Sequence, residues 1–223
     1  MSDNASQYWN DRYLQGQTGW DIRQVSPPLQ AYFDQLTTKD LSILIPGCGN
    51  SYEAEYLLKQ GFTDITLLDI SPALVESLRK KFQPSPPALQ LITADFFDHD
   101  GAYDLIIEQT FFCALDPAQR PAYVEQMHRL LRPGGRLAGL LFDRDFPGGP
   151  PDSPEIRSPK ANDPPYGGHK EEYEKLLVKR FRIKTLTPCY NSIKPRMGTE
   201  LFLIAEKASP AHRSSSDYTA GSC

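Results

Sequence analysis

An apolar run closing on a glycine turn, Leu44-Ile45-Pro46-Gly47-Cys48-Gly49-Asn50, is answered by a second apolar run closing on an acid, Leu67-Leu68-Asp69-Ile70-Ser71. Asp69 follows Gly49 by about 20 residues, the distance at which a nucleotide-binding α/β fold brings an acid to ribose hydroxyls. The glycines let backbone approach a ligand closely, and a helix beginning near Ser51 points free N–H groups at it. A third glycine is missing, since Tyr52 ends the G-x-G-x-x-Y pattern, so the cradle that a pyrophosphate needs is incomplete. Taken alone, the Gly-x-Gly reads equally as a tight strand-to-helix turn. Asp69 reads also as a helix cap, but its place at the end of a buried strand favours ribose binding.

The 223 residues suffice for one α/β domain with a sizeable core. The net charge of −4 argues against a nucleic-acid partner, which normally calls for a basic face. No apolar stretch approaches the length of a membrane span, and the first six residues have neither the basic nor the apolar region of a secretion signal. Cys48, Cys113, Cys189 and Cys223 are scattered without a C-x-x-C pair. They read as buried or incidental thiols in a reducing compartment, with no metal site, and the expected location is cytoplasmic.

Apolar runs separated by helical segments predict a mostly parallel sheet covered on both faces. Strands are expected near 41–45, 65–69, 89–93, 104–108, 136–142, 181–187 and 199–205, the last two as an antiparallel pair across a loop at 188–198. Helices are expected near 5–15, 27–36, 52–60, 72–82, 118–131 and 169–179. Ser71-Pro72 sets an N-cap before a first-turn proline, and Asp116-Pro117 starts the helix that Arg132-Pro133-Gly134-Gly135 ends. Residues 144–168 hold many of the 20 prolines and are expected to form a long loop or lid. The domain is read as residues 1–208, with a small, polar and disordered tail over 209–223.

The order of motifs is specific: the glycine turn, the acid after the second strand, Ala94-Asp95-Phe96-Phe97 after the third, and Arg132-Pro133-Gly134-Gly135 before the fifth. It resembles the class I S-adenosylmethionine-dependent methyltransferases. Trp9, Trp20-Asp21, Ile45-Pro46-Gly47-Cys48-Gly49, Phe111-Phe112-Cys113-Ala114-Leu115 and Gly148-Gly149-Pro150-Pro151 are more narrowly similar to the thiopurine S-methyltransferase family, in its halide and thiol methyltransferase branch. The resemblance spans roughly residues 5–207. It implies a Rossmann-like seven-stranded sheet with the last strand antiparallel, S-adenosylmethionine at the strand C-termini, and an N-terminal segment closing over it. It also implies site residues. Gly47 and Gly49 form the cofactor turn and Asp69 holds the ribose. Asp95, Phe96 and Phe97 surround the adenine. Glu108 and Gln109 line the methionine side, and Trp9, Tyr13 and Trp20 close the pocket. Gln109, Phe111 and Tyr166 are expected to position a small-molecule acceptor in a monomer or weak oligomer.

Each of these has a plainer reading. Trp9 and Trp20 serve as helix packing, or as a lid whose electron-rich faces suit a sulfonium. Asp95 belongs to an acidic stretch that could be a solvated turn. Glu108 and Gln109 could cap a strand, and Phe111 or Phe112 could be core. Cys113, without a paired base, reads as an inert thiol. His99 and His212 read as surface, His128 as part of an amphipathic helix, and His169 adjoins the proline-rich loop. Asp163-Pro164-Pro165-Tyr166 spells the signature of base amino-methyltransferases, but it follows the fifth strand rather than the fourth and reads as coincidence. Residues 152–165 are read as an insertion beside the acceptor cavity. The expected reaction is in-line methyl transfer to a soft nucleophile such as a thiol, thiopurine, halide or thiocyanate, driven by positioning and desolvation. The rivals are a nucleotide-dependent oxidoreductase, a base amino-methyltransferase and a non-catalytic cofactor-binding module.

Overall fold

Strand β1 (Ser42–Pro46) is buried along its whole length, and this apolar run takes an interior place, third from one edge, in a seven-stranded sheet. In the computed structural model, which describes residues 3–145 and 164–208, β2 (Asp64–Asp69) and β3 (Leu89–Thr93) stack outward on one side of it. On the other side lie β4 (Tyr103–Gln109), β5 (Leu131–Phe142), β7 (Glu200–Glu206) and β6 (Arg182–Pro188). The chain therefore winds outward from β1 and then returns to β4 across it. That reversal opens a crevice at the C-terminal ends of β1 and β4, where open α/β sheets bind ligands. β7 runs antiparallel to both neighbours, and the other adjacent pairs are parallel.

Two cores cover the sheet, and the period of two along each strand divides its residues between them. Ile43, Ile45, Ile65, Leu67, Leu105 and Ile107 face α2 (Pro27–Phe33), α3 (Tyr52–Lys59) and α4 (Pro72–Lys81). Leu44, Leu68, Ile106, Leu137 and Leu141 face α5 (Arg120–Leu130) and α6 (Lys170–Leu177). Among the described residues no helix is long and apolar enough to cross a membrane.

Most element boundaries fall where the sequence sets them. Ser71 Oγ accepts the Leu74 N–H at 3.2 Å, with Pro72 beginning α4. Helix α2 ends at Phe33, three residues short of the expected 36, and two further boundaries differ. A 3₁₀ turn, Pro117–Gln119, precedes α5, with Asp116 capping it, because Pro121 has no N–H to continue an α-helical ladder back to Pro117. β5 begins at Leu131 rather than at 136. Leu131 already pairs with Tyr103, and the register resumes at Leu105 opposite Arg136, so residues 132–135 form a bulge inside the strand. Lys207 fastens this bulge, exchanging backbone bonds with Gly134 and Gly135 and reaching the carbonyls of His128 and Leu131 with its Nζ.

Helix α1 (Asp3–Leu14) lies across the C-terminal end of β2. Ser6 Oγ donates to the Ile70 carbonyl at 3.0 Å, and Asn10 Oδ1 accepts the Ala73 N–H at 2.8 Å. The N-terminal segment is thereby anchored over the crevice. His99, read as surface, is instead buried, with its ring 2.8 Å from the Tyr103 hydroxyl at the foot of β4. Residues 148–151, the insertion up to 163, His212 and the tail from 209 lie outside the described residues.

Candidate functional site

The chain leaves β1 through two left-handed glycines, Gly47 at φ +55° and Gly49 at φ +51°. A Cβ on Gly47 would stand 2.7 Å from Phe111 Cγ, so only glycine lets the loop after β4 close against the turn. The Gly49 N–H reaches Asp69 Oδ2 at 3.4 Å, and the Ser71 N–H donates to Asp69 Oδ1 at 3.0 Å. Asp69 is 6% exposed, and this burial pushes its carboxyl up to about 6, against the pull of the Ser71, Gly49 and Ile70 N–H groups.

Aromatic side chains from the N-terminal segment cover this turn. The Tyr13 hydroxyl is the nearest atom to a Cβ built on Gly49, at 3.6 Å. Burial, then the Asp69 charge beside it, holds that phenol well above its usual range. Trp20 packs edge-on against Trp9 and Tyr13, with ring centroids 5.5 and 5.8 Å away. The next residue fastens the cap. Asp21 Oδ2 accepts from Asn50 Nδ2 at 2.6 Å and from the Tyr52 hydroxyl at 3.2 Å, tying the segment to the start of α3.

The other walls come from β3 and β4. The Ala94 N–H donates to the Asp69 carbonyl at 3.1 Å, and Asp95 Oδ1 accepts the Phe97 N–H at 2.9 Å, which turns Phe96 and Phe97 toward the cleft. The Phe96 ring lies 5.1 Å from that of Phe111. After β4, left-handed Thr110 (φ +58°) bends the chain so that Gln109, Thr110 and Phe111 face the same space. Gln109 Oε1 is buried there with no hydrogen-bond partner among the described residues. Farther out, Cys113, Leu115, Phe142, Pro164 and Pro165 make a largely apolar wall. Together these residues enclose about 630 Å³, within the usual range for small-molecule sites.

Trp9, Tyr13, Trp20, Gly47, Gly49, Asp69, Asp95, Phe96, Phe97, Gln109 and Phe111 all line this one cleft. Two expected residues do not. Glu108 turns back into the fold, where Oε1 accepts the Phe111 and Phe112 N–H groups at 2.8 and 2.9 Å and Oε2 accepts the Tyr123 hydroxyl at 2.6 Å. Wholly buried, it is pushed up to about 7, although those three donors favour its charge. It shapes the loop that carries Phe111. Tyr166 also stays off the cleft: its N–H donates to the Cys113 carbonyl at 2.7 Å, and Pro164 and Pro165 are its neighbours that line the space. His169 sits at the start of α6, facing Asp143 and Asp145. Burial pushes the Cys113 thiol up to about 12, so it stays protonated near neutral pH.

Sequence reasoning missed Asp21, Asn50 and Arg196. Trp20-Asp21 was visible as a pair, but the acid carries a role only through Asn50, which is 29 residues away. Arg196 lies in the 188–198 loop and had no local signal.

The family described as thiopurine S-methyltransferase matches residues 4–209. A probable thiol methyltransferase of Arabidopsis thaliana is 31% identical over 217 residues, covering 95% of this chain and 90% of that protein. A thiopurine S-methyltransferase of Nitrosospira multiformis is 26% identical over 198 residues, covering 81% and 84%. Among solved structures, the 1,6-didemethyltoxoflavin-N1-methyltransferase of Burkholderia thailandensis, with bound S-adenosylhomocysteine, superimposes with a TM-score of 0.71 at 20% identity, covering 92% of this chain and 87% of that one.

Proposed function

Because this chain belongs to the thiopurine S-methyltransferase family, and is an S-adenosylmethionine-dependent methyltransferase acting on a small nucleophile, we propose that the atom it methylates is a soft one: the sulfur of a thiol, thiopurine or thiocyanate, or a halide. One observation carries this reading. The wall beyond Gln109 is built mainly from Phe111, Cys113, Leu115, Phe142, Pro164 and Pro165, with Arg144 and Arg196 as its cationic members. A polarizable, weakly hydrated nucleophile loses little on entering such a wall, whereas a hard oxygen nucleophile would have to shed strongly held water.

The cleft suits the donor. Asp69 is assigned to the ribose hydroxyls, the Gly47–Gly49 turn to close backbone approach, Phe96 and Phe97 to the adenine, and the open Gln109 carbonyl oxygen to a cationic or N–H donor. Trp9, Tyr13 and Trp20 exclude water above the turn and present aromatic rings to a positive centre, an interaction of about 0.5–2 kcal/mol each. When bound, S-adenosylmethionine supplies a methyl carbon activated by its sulfonium. The chain itself supplies position and dryness, an effect large enough to dominate a bimolecular displacement.

The acid side chains facing the cleft have partners within the fold: Asp69 with Gly49 and Ser71, Asp21 with Asn50 and Tyr52, Asp95 with the Phe97 N–H, and buried Glu53 with the Ser26 N–H. An acceptor that arrives ionised, or nearly so, fits that arrangement. The test is a panel of thiols, thiopurines, halides, thiocyanate, phenols and amines with S-adenosylmethionine, following methylated product and S-adenosylhomocysteine. Turnover confined to phenols or amines would sink the proposal.

A further inference from the structure

We propose that Arg196 is a positioning residue that ties the 188–198 loop between β6 and β7 to the aromatic cap, so that order in this loop and affinity for the donor are coupled. The inference rests on reading the cleft as donor site and acceptor site side by side. Arg196 lies between β6 and β7 at the cleft wall, and its side chain is only 11% exposed. Its Nη1 meets Glu200 Oε1 at 3.3 Å, where Glu200, almost wholly buried, begins β7. Its Nη2 donates to the Trp20 carbonyl at 2.8 Å, across 176 positions of sequence. The guanidinium carbon stands 5.5 Å from the centre of the Phe142 ring at the end of β5.

One planar fork thus joins the start of β7, the end of β5 and the cap. A buried ion pair with Glu200 alone adds little net stability, because both charges lose their water. The second arm is what reaches the site. Held through its backbone, Trp20 packs on Trp9 and Tyr13, and the Tyr13 hydroxyl stands over Gly49. Displacing Arg196 therefore loosens the cap above the cofactor turn. From the opposite side, Glu53 in the first turn of α3 fixes Ser26, and the charge of Arg196 helps hold its carboxylate against burial. Lysine, a point charge without the fork, serves one arm at a time.

Both tryptophans of the chain, Trp9 and Trp20, are in the cap, so fluorescence excited at the red edge, where tryptophan absorbs and tyrosine does not, reports the cap alone. Acrylamide quenching of the ligand-free protein, calorimetric affinity for S-adenosylmethionine and the split between KM and kcat should be compared across Arg196→Lys, Arg196→Met and Arg196→Met with Glu200→Gln. The double variant does not leave Glu200 as a buried carboxylate without its cation, so it carries the test if the single methionine variant does not fold. The expected result is increased quenching, about tenfold weaker donor binding and a raised acceptor KM in the methionine variants, with lysine intermediate. A folded double variant with wild-type quenching and donor affinity would overturn the tie. Wild-type protein that fails to bind the donor would overturn the reading of the cleft and the coupling with it, while the ligand-free quenching still decides whether Arg196 holds the cap.

Discussion

Lowering the pH from about 8 to about 5 should weaken S-adenosylmethionine binding through Asp69. Burial raises the Asp69 carboxyl to about 6 in the ligand-free fold. Ribose hydroxyls donate to a carboxylate, so the complex keeps Asp69 ionised, and a protonated free enzyme must first release its proton. With a pKa near 6, roughly half of the free protein is competent at pH 6 and roughly a tenth at pH 5. Apparent affinity then falls about twofold at pH 6 and about tenfold at pH 5, or about 1.4 kcal/mol. Stability has the opposite trend. A folded pKa raised above the unfolded one stabilises the fold below about pH 4, and this contribution is lost as pH rises through about 6, so the ligand-free protein weakens as donor affinity improves. Titration calorimetry across this range, in two buffers of different ionisation enthalpy, should show proton release near pH 5–6. Asp69→Asn should bind more weakly but without the slope. Glu108 ionises nearby but faces Tyr123 rather than the cleft, so Glu108→Gln should retain the slope. A pH-independent Kd, or an asparagine variant with the wild-type slope, would refute the placement of Asp69.

Three further perturbations follow from the same geometry. Gly47→Ala, which drives a Cβ into the Phe111 ring at a left-handed position, should lower stability by about 1–3 kcal/mol and also disturb donor affinity, read by denaturant melts and calorimetry. Asp21→Asn should weaken donor binding several-fold with little change in Tm, since it slackens the Asn50 and Tyr52 bonds without touching the core; an unchanged Kd would show that the cap holds without it. Glu108→Gln can still accept from Phe111 and Phe112 and donate to Tyr123, but it cannot ionise. The stability that wild-type Glu108 loses as pH rises from about 4.5 through about 7, about 3 kcal/mol, should then be absent from the variant's pH–stability curve.

The sheet was legible because its signals are local. Ile43–Ile45 and, apart from Thr66, Ile65–Leu68 are apolar without alternation, which marks strands buried on both faces, and Ser71-Pro72 places a helix start within one residue. The start of β5 was not legible, because Pro133-Gly134-Gly135 reads as a break. Only the pairing of Leu131 with Tyr103 and the grip of Lys207 make it a bulge within a strand. His99 misled for a similar reason. Between acids it looks solvated, yet the stacking of its ring on Tyr103 is a tertiary fact.

The site divides along the same line. Gly47, Gly49 and Asp69 were readable because a strand end fixes both the conformation and the direction of the residue that follows it. Glu108 and Gln109 occupy the same strand end, and there the pattern failed, since neighbours on a strand point to opposite faces. Gln109 faces the cleft, and Glu108 faces α5, where Tyr123 waits for it. Sequence gives the alternation but not its phase, because both faces of this sheet are covered and neither is polar. Arg196 was harder still: its partners are Glu200 and a backbone carbonyl at Trp20, and a carbonyl has no residue type to be recognised by. The parts of the cleft proposed to hold the donor are thus written in short motifs. Asp21, Asn50 and Arg196, which fasten the aromatic cap, depend instead on distant pieces of chain meeting, and no short motif can record such a meeting.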